Sequence, residues 1–495
     1  MGSREKWYTE KLNDLQQEDL RVSTLGELRD RLKSLPHDEA EKVTKALELP
    51  LVFDCLNDNN TEQVDLACEV LSLCLGNLHL GESTSRYQTA FERALNHPFP
   101  GVKLMVLKEI ERSLLNEEVV SSFCQQTPLL INIVNCIADE DIGVANKASD
   151  ILVALGITIP GANKITSNEI LVPLQELMTA NQIVKARVFE TLVSISKKSE
   201  FSFAKLKAVG LISNIVDEIA NSDVLFKMNV IEILSQLGQS EHGFVFLDET
   251  DVLNKIFNII GEDELTAQLC QPGILKFFGH VAHRNPRELL AKYPIMFDHL
   301  FSNIEQSDLT LIAVSLDTIG FIGQTSQGKL ALDSTGKRFD GTIKIISRLL
   351  SSLPTDVRVR ALNCIGNLLR DTRYDIMQIT EKWYRLLGTD PMEIITKYAK
   401  NPFPELRLAG LGIVNSLASQ PWGQDVIKNT PGLVEFLLDR SIETNKECKE
   451  AKYEIVKLLS NSTIFDRHIQ ERLENFVKEG PFYVQPVVEV AIEGD

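Results

Sequence analysis

A spacing of about forty residues constrains this chain more than any other feature. A short polar turn, an apolar anchor, and further apolar residues four, eight and eleven positions on recur along it. Clear copies are Asp141-Ile-Gly-Val144-Ala-Asn-Lys-Ala148-Ser-Asp-Ile-Leu152, Asn181-Gln-Ile-Val184-Lys-Ala-Arg-Val188-Phe-Glu-Thr-Leu192 and Thr355-Asp-Val357-Arg-Val-Arg-Ala361-Leu-Asn-Cys-Ile365. The anchors are Val64, Val102, Val144, Val184, Phe226, Ala267, Leu311, Val357, Leu406 and Cys448, separated by 38 to 49 residues. Eight positions after them stand Ser72, Ile110, Leu152, Leu192, Leu234, Leu275, Ile319, Ile365, Val414 and Val456. Nine of these ten are apolar, the stripe that a core-facing helix needs. Units of this length that stack on their neighbours are HEAT or armadillo (ARM) repeats, so the expected fold is an all-α, right-handed ARM/HEAT solenoid.

The period organises the whole chain. Two near-copies, Asn96-His-Pro-Phe-Pro-Gly-Val102 and Lys400-Asn-Pro-Phe-Pro-Glu-Leu406, place prolines where one helix ends and the next begins. Residues 1–51 are more polar and read as an N-terminal helical cap, residues 52–479 as about ten repeats in one continuous solenoid, and residues 480–495 as a non-helical tail.

Charge narrows the partners. Fifty-one Lys and Arg against 69 Asp and Glu give −18, a field that repels phosphate backbones and anionic lipid. A protein with basic features suits it better than nucleic acid or membrane. The longest uncharged run, Val119 to Ala138, is broken by Gln125, Gln126, Thr127, Pro128 and two Asn, and does not read as a span. Eight cysteines lie scattered without a CxxC pair, mostly inside apolar stretches; buried free thiols in a reducing compartment are expected. The start, Met1-Gly-Ser-Arg-Glu-Lys6, lacks the apolar stretch of a signal peptide. The expected location is cytoplasmic, with the nucleus also open.

Motifs for chemistry are weak. Gly323-Gln-Thr-Ser-Gln-Gly328-Lys329-Leu330 has the glycines and lysine of a phosphate loop, but Leu330 stands where a magnesium-binding hydroxyl belongs. Gly238-Gln-Ser-Glu-His-Gly243 repeats the layout without lysine, which makes it a repeat corner. His280 and His283 form an HxxH pair without the glutamate of a metalloprotease, and read as ordinary polar helix positions. No cofactor, metal or catalytic residue is assigned, and the chain reads as a non-enzyme.

The candidate surface is the side of each repeat's last helix that faces away from the core, six and ten positions after the anchors. The first row contains Asp150, Glu190, Glu232, Asp317 and Asn363; five of its ten members are carboxylates, against 69 of 495 residues overall. The second contains Gln236, Phe277, Phe321 and Asn367. An acidic ladder with two aromatic anchors fits a partner with basic and apolar features.

Several strings carry a resemblance. Asn401-Pro-Phe-Pro-Glu-Leu-Arg, Leu417-Ala-Ser-Gln-Pro-Trp422-Gly-Gln, Pro431-Gly-Leu-Val-Glu-Phe, Asp439-Arg-Ser, Ala451-Lys-Tyr-Glu-Ile-Val, Glu479-Gly-Pro-Phe-Tyr-Val-Gln-Pro486, Pro272-Gly-Ile-Leu-Lys-Phe-Phe-Gly279 and Tyr293-Pro-Ile resemble the family of 26S proteasome non-ATPase regulatory subunit 5. The resemblance runs the full length and is strongest after Gln271. It implies an assembly chaperone for the base of the proteasome regulatory particle. Such a chaperone binds the C-terminal domain of one ATPase subunit, in a module with a second ATPase and a large non-ATPase scaffold, and leaves before the mature particle forms. The free chain is expected to be a monomer. The alternative is a general armadillo scaffold or transport adaptor, for which only Asn363 and Asn367 hint at the usual asparagine ladder.

Overall fold

The computed structural model describes residues 3–484 except positions 48, 262, 263 and 372. Every regular element among the described residues is helical, and the fold is an all-α helical repeat. The chain divides into two compact units, Met1–Phe246 and Leu247–Asp495. Of the proposed tail, residues 480–484 are non-helical, and 485–495 lie outside the described residues.

The ten anchors fall on ten long helices. In the first unit these are α1 (Thr61–Gly76), α2 (Pro100–Ser113), α3 (Ile142–Gly156), α4 (Gln182–Lys198) and α5 (Val224–Leu237). In the second they are α6 (Glu264–Arg284), α7 (Leu309–Ile322), α8 (Thr355–Leu369), α9 (Pro404–Ala418) and α10 (Lys446–Ser460). Two shorter helices separate successive members, for example Ile159–Ile165 and Asn168–Ala180 between α3 and α4. Within each unit every long helix packs on the next, and the helix Arg21–Lys33 packs on α1 through Leu25 and Leu28.

In six of the long helices the polar turn before the anchor supplies a side-chain cap. Side-chain oxygens of Asp141, Asn181 and Asn445 accept from the amides of Val144, Val184 and Cys448 at 3.0, 2.9 and 3.0 Å. Asp223 and Asp308 do the same for Phe226 and Leu311 at 3.1 and 3.2 Å. Each cap satisfies an amide that has no partner inside its helix and fixes the phase of the buried stripe, a bond of about 1 kcal/mol. Where the cap is Phe99 or Phe403, a following proline starts the helix. In all nine long helices whose cap is described, the first core position stands three residues after it.

That rule corrects the anchor of α1, and burial corrects the anchor of α6. In α1 the cap is Asn60, so Gln63 takes the core position, 3% exposed with Nε2 donating to Cys55 O at 2.8 Å. Leu71 and Cys74 are then buried and Ser72 is exposed. In α6 Thr266, Cys270 and Ile274 are buried while Ala267 is only half-buried, so its stripe starts one residue early. One residue is 100° of helix, enough to exchange faces.

The corners are equally regular. A Cβ on Gly161, Gly243, Gly328 or Gly423 would lie 2.0, 2.1, 1.8 or 2.2 Å from the carbonyl oxygen six residues earlier. Three of these glycine amides donate to Thr158, Ser240 or Thr325 hydroxyls at 3.1, 3.2 and 3.0 Å. At the Gly161 and Gly328 corners the flanking helices turn through 118°. Gly323 to Leu330 is therefore such a corner. Lys329 points inward, fully buried, and its ammonium donates to Gly323 O and stands 3.9 Å from Asp371 Oδ2.

The second unit's core contains a run of edge-on and tilted rings. Phe257, Phe278 and Phe297 follow one another at 5.6 and 5.1 Å, and Phe301, Phe339 and Trp383 at 5.4 and 5.1 Å. Such pairs add about 0.5–1.5 kcal/mol each beyond the area they bury. All eight cysteines are free; seven are buried and Cys68 is half-buried. No single helix among the described residues is long and apolar enough to cross a membrane.

Candidate binding surface

The proposed rows lie on the long helices, and the two units are described in turn. In the first unit Asp150 (α3), Glu190 (α4) and Glu232 (α5) occupy consecutive packed helices; the first two are exposed and Glu232 and Gln236 are half-buried. Basic side chains that the row pattern did not include stand beside them. Lys147 Nζ is 3.9 Å from Asp150 Oδ2 and 3.0 Å from Glu111. Arg187 lies one turn before Glu190 and donates to the carbonyls of Ile137 and Asp139 at 3.0 and 2.9 Å. Desolvation raises the Glu190 carboxyl above its ordinary range, and the Arg187 charge opposes this. This face is charge-mixed, more weakly acidic than a bare ladder.

In the second unit α6, α7 and α8 line a cleft of about 510 Å3. Asp317, Phe321, Asn363 and Asn367 all open onto it. Phe277 does not: it is fully buried and meets Phe257 edge-on at 6.1 Å. The cause is the α6 register, because counting from Thr266 places Phe277 eleven positions on, in the core stripe. Lys276 takes the outward position and lines the cleft.

Glycines bring the cleft's helices close. A Cβ on Gly279 would meet Thr318 Cγ2 at 2.7 Å, and one on Gly320 would meet Cys364 Cα at 3.1 Å. Phe321 is half-buried and stacks on His283, ring centroids 4.1 Å apart and planes 16° off parallel. His283 Nδ1 lies 2.8 Å from Phe321 O, and His280 meets the same ring edge-on at 5.4 Å. The sequence reading of both histidines as ordinary polar helix positions missed this packing, although a spacing of three puts them on one face. Asp317 is not a free acid. Its carboxylate pairs with Arg360 of α8, and burial raises its pKa while the guanidinium opposes.

The cleft thus presents carboxamides at Asn363, Asn367 and Gln324, a ring wall at Phe321 and His280, and one surface ion pair. Carboxamides donate and accept, so they can pair with a peptide main chain, and the rings can bury an apolar side chain. The one thiol on the cleft, Cys364, is buried, and desolvation pushes its pKa far above the ordinary range. No group of three His, Cys, Asp or Glu placed to hold a metal occurs among the described residues. The arrangement is one for holding an extended segment.

A human protein named 26S proteasome non-ATPase regulatory subunit 5 is 33% identical over 484 residues, covering 96% of each chain. A Drosophila melanogaster protein of the same name is 27% identical over 517 residues, covering 100% of this chain and 99% of its own. Among solved structures, an engineered protein overlaps 84% of this chain and 99% of its own with a TM-score of 0.37 and 12% identity. The profile of the family described as "Proteasome non-ATPase 26S subunit" matches residues 4–495. With repeat, corners and full-length likeness in agreement, the chain belongs to the family of proteasome non-ATPase 26S subunits.

Proposed function

We propose that this chain is an assembly chaperone for the base of the proteasome regulatory particle. It holds the C-terminal domain of one ATPase subunit on its long-helix face, beside a second ATPase and a large scaffold subunit, and leaves before the particle is complete. The observation that carries the reading is family membership over essentially the whole chain. The α6–α8 cleft supports it, because its carboxamides and rings suit peptide recognition. The reading includes a monomeric, non-catalytic chain acting in the cytoplasm and open to the nucleus.

Kinetics against an isolated ATPase C-terminal domain test it. Phe321→Ala and the double change Asn363→Ala/Asn367→Ala should speed dissociation on the order of tenfold, about 1.4 kcal/mol. Glu190→Lys with Glu232→Lys should slow association at low salt, since such charges mainly steer. Absence of any interaction with proteasomal ATPases, with capture of unrelated proteins through the same cleft, would favour the general scaffold instead.

A further inference from the structure

A second cleft, of about 610 Å3, lies near the end of the described chain, between the helix Leu433–Leu438, α10 and the helix Arg467–Glu479. Its charge runs against that of the molecule. In a chain of net charge −18, Arg440, Lys449, Lys452 and Arg472 all line it.

The acids on the same walls are already engaged. Asp439 Oδ1 accepts from the Ser441 amide at 2.8 Å and the Ser441 hydroxyl at 2.6 Å. Glu443, 4% exposed, accepts from Arg407 Nη2 and from the Asn445 amide, both at 3.1 Å, and its other oxygen is ion-paired with the same guanidinium at 2.9 Å. Glu479 pairs with Arg440 at 3.3 Å.

The cations are less completely matched. The side-chain cations of Lys449 and Arg472 have no ion-pair or hydrogen-bond partner among the described residues. Lys452 is 2% exposed; its ammonium donates to Asp439 O at 2.7 Å and sits 4.5 Å from the Phe436 ring. An ammonium has three hydrogens, so this buried group keeps donors for a ligand. Burial pushes Lys452 down to about 8, with Glu443, Asp439 and Cys448 opposing and Arg407 assisting, so an arriving carboxylate would stabilise its charged form. One wall is aromatic: Arg440 lies 3.7 Å over the Phe476 ring and 5.6 Å from Tyr483.

We propose that this cleft binds an acidic peptide segment of a partner protein, its carboxylates meeting Lys449, Arg472 and Lys452 and its apolar side chains resting on the exposed Tyr483 ring. Size and lining separate this occupant from a small inorganic anion, which would leave most of the cleft and its rings unused. A nucleic-acid backbone needs cations along an extended groove, whereas these converge on one cleft. The inference is independent of the α6–α8 cleft, whose contacts are amides and rings.

The test uses the full chain and a short fluorescein-labelled peptide of alternating Glu and Leu, followed by anisotropy at low salt. A peptide of alternating Gln and Leu and inorganic phosphate serve as comparisons. The acidic peptide should bind, the Gln peptide should bind on the order of tenfold more weakly, and phosphate at equal concentration should not displace the probe. Lys449→Glu with Arg472→Glu should cost at least another tenfold with an unchanged melting curve. If the reversal perturbs folding, Lys449→Met with Arg472→Met replaces it. Equal binding of both peptides, unchanged affinity in the charge variants, or displacement by equimolar phosphate would each overturn the proposal.

Discussion

Lys329→Met tests the repeat corner directly. The lysine is fully buried, and desolvation lowers its pKa from 10.5 to about 8, with Asp371 opposing. In the unfolded chain the group titrates near 10.5, so between pH 8 and pH 10.5 the unfolded state binds a proton that the folded state does not. Stability from this group therefore rises with pH across that window and is lowest at pH 7, where the charge is carried in both states. The gap is worth about 3 kcal/mol at pH 7 and about 1 kcal/mol at pH 10.

Methionine removes this dependence while filling similar volume. Asp371 keeps a bond from the Ser326 hydroxyl at 2.9 Å and one from the Arg373 amide at 3.0 Å. The variant also loses the bond to Gly323 O, a loss of about 1–3 kcal/mol that is the same wherever the lysine is charged. The firm quantity is thus a difference of differences. The stability of Lys329→Met relative to the parent should fall by about 2 kcal/mol between pH 7 and pH 10. Buried thiols titrate alike in both proteins and cancel. Denaturant unfolding at the two pH values, read from a probe in the second unit, gives the result. An offset that is the same at both would refute the burial argument and reopen Gly323 to Leu330 as a loop with an exposed lysine.

Other outcomes follow from the packing. Gly328→Ala should destabilise by about 1–3 kcal/mol or more, because its Cβ would press on Ile322 O, as urea unfolding would report. Gly412→Ala, inside α9 with nothing near its Cβ, should instead stabilise by about 0.5–1 kcal/mol in the same assay. Phe277→Ala should cost about 3–5 kcal/mol of stability while leaving the ATPase-domain dissociation rate of the remaining folded protein unchanged. Thiol titration at neutral pH should find the native cysteines protected, since burial raises Cys74 and Cys68 to about 12 and Cys55 and Cys136 to about 11; all eight should react after denaturation.

The repeat was legible because its apolar stripe and its caps agree. Asp141, Asn181, Asp223, Asp308 and Asn445 each stand three residues before a buried apolar residue, so pattern and cap mark the same phase. It failed where the core position is polar. Gln63 and Thr266 are buried, yet an apolar search steps past them to Val64 and Ala267. At α6 that single step exchanged Phe277 for Lys276 on the outward face. The α6–α8 cleft was half legible: Asp317, Phe321, Asn363 and Asn367 came from the rows, whereas Arg360 and the two histidines belong to other positions of the turn. Pairing between side chains on neighbouring helices, as of Asp317 with Arg360, leaves no trace in spacing along one helix.

The constant interval between cap and core position separates two kinds of length change. Counted from the corrected anchors Gln63 and Thr266, the repeats are spaced 39 to 49 residues apart, so length differences between repeats are common. None has altered the three-residue step wherever a cap is described. A residue gained before a cap lengthens a loop, whereas one gained after it would turn the whole following helix by about 100° and bring its core stripe out of the interior. Length differences among the repeats of this chain thus fall outside the stretch that sets rotational phase, and a graft or deletion that keeps each cap with its core position keeps the following stripe in the interior.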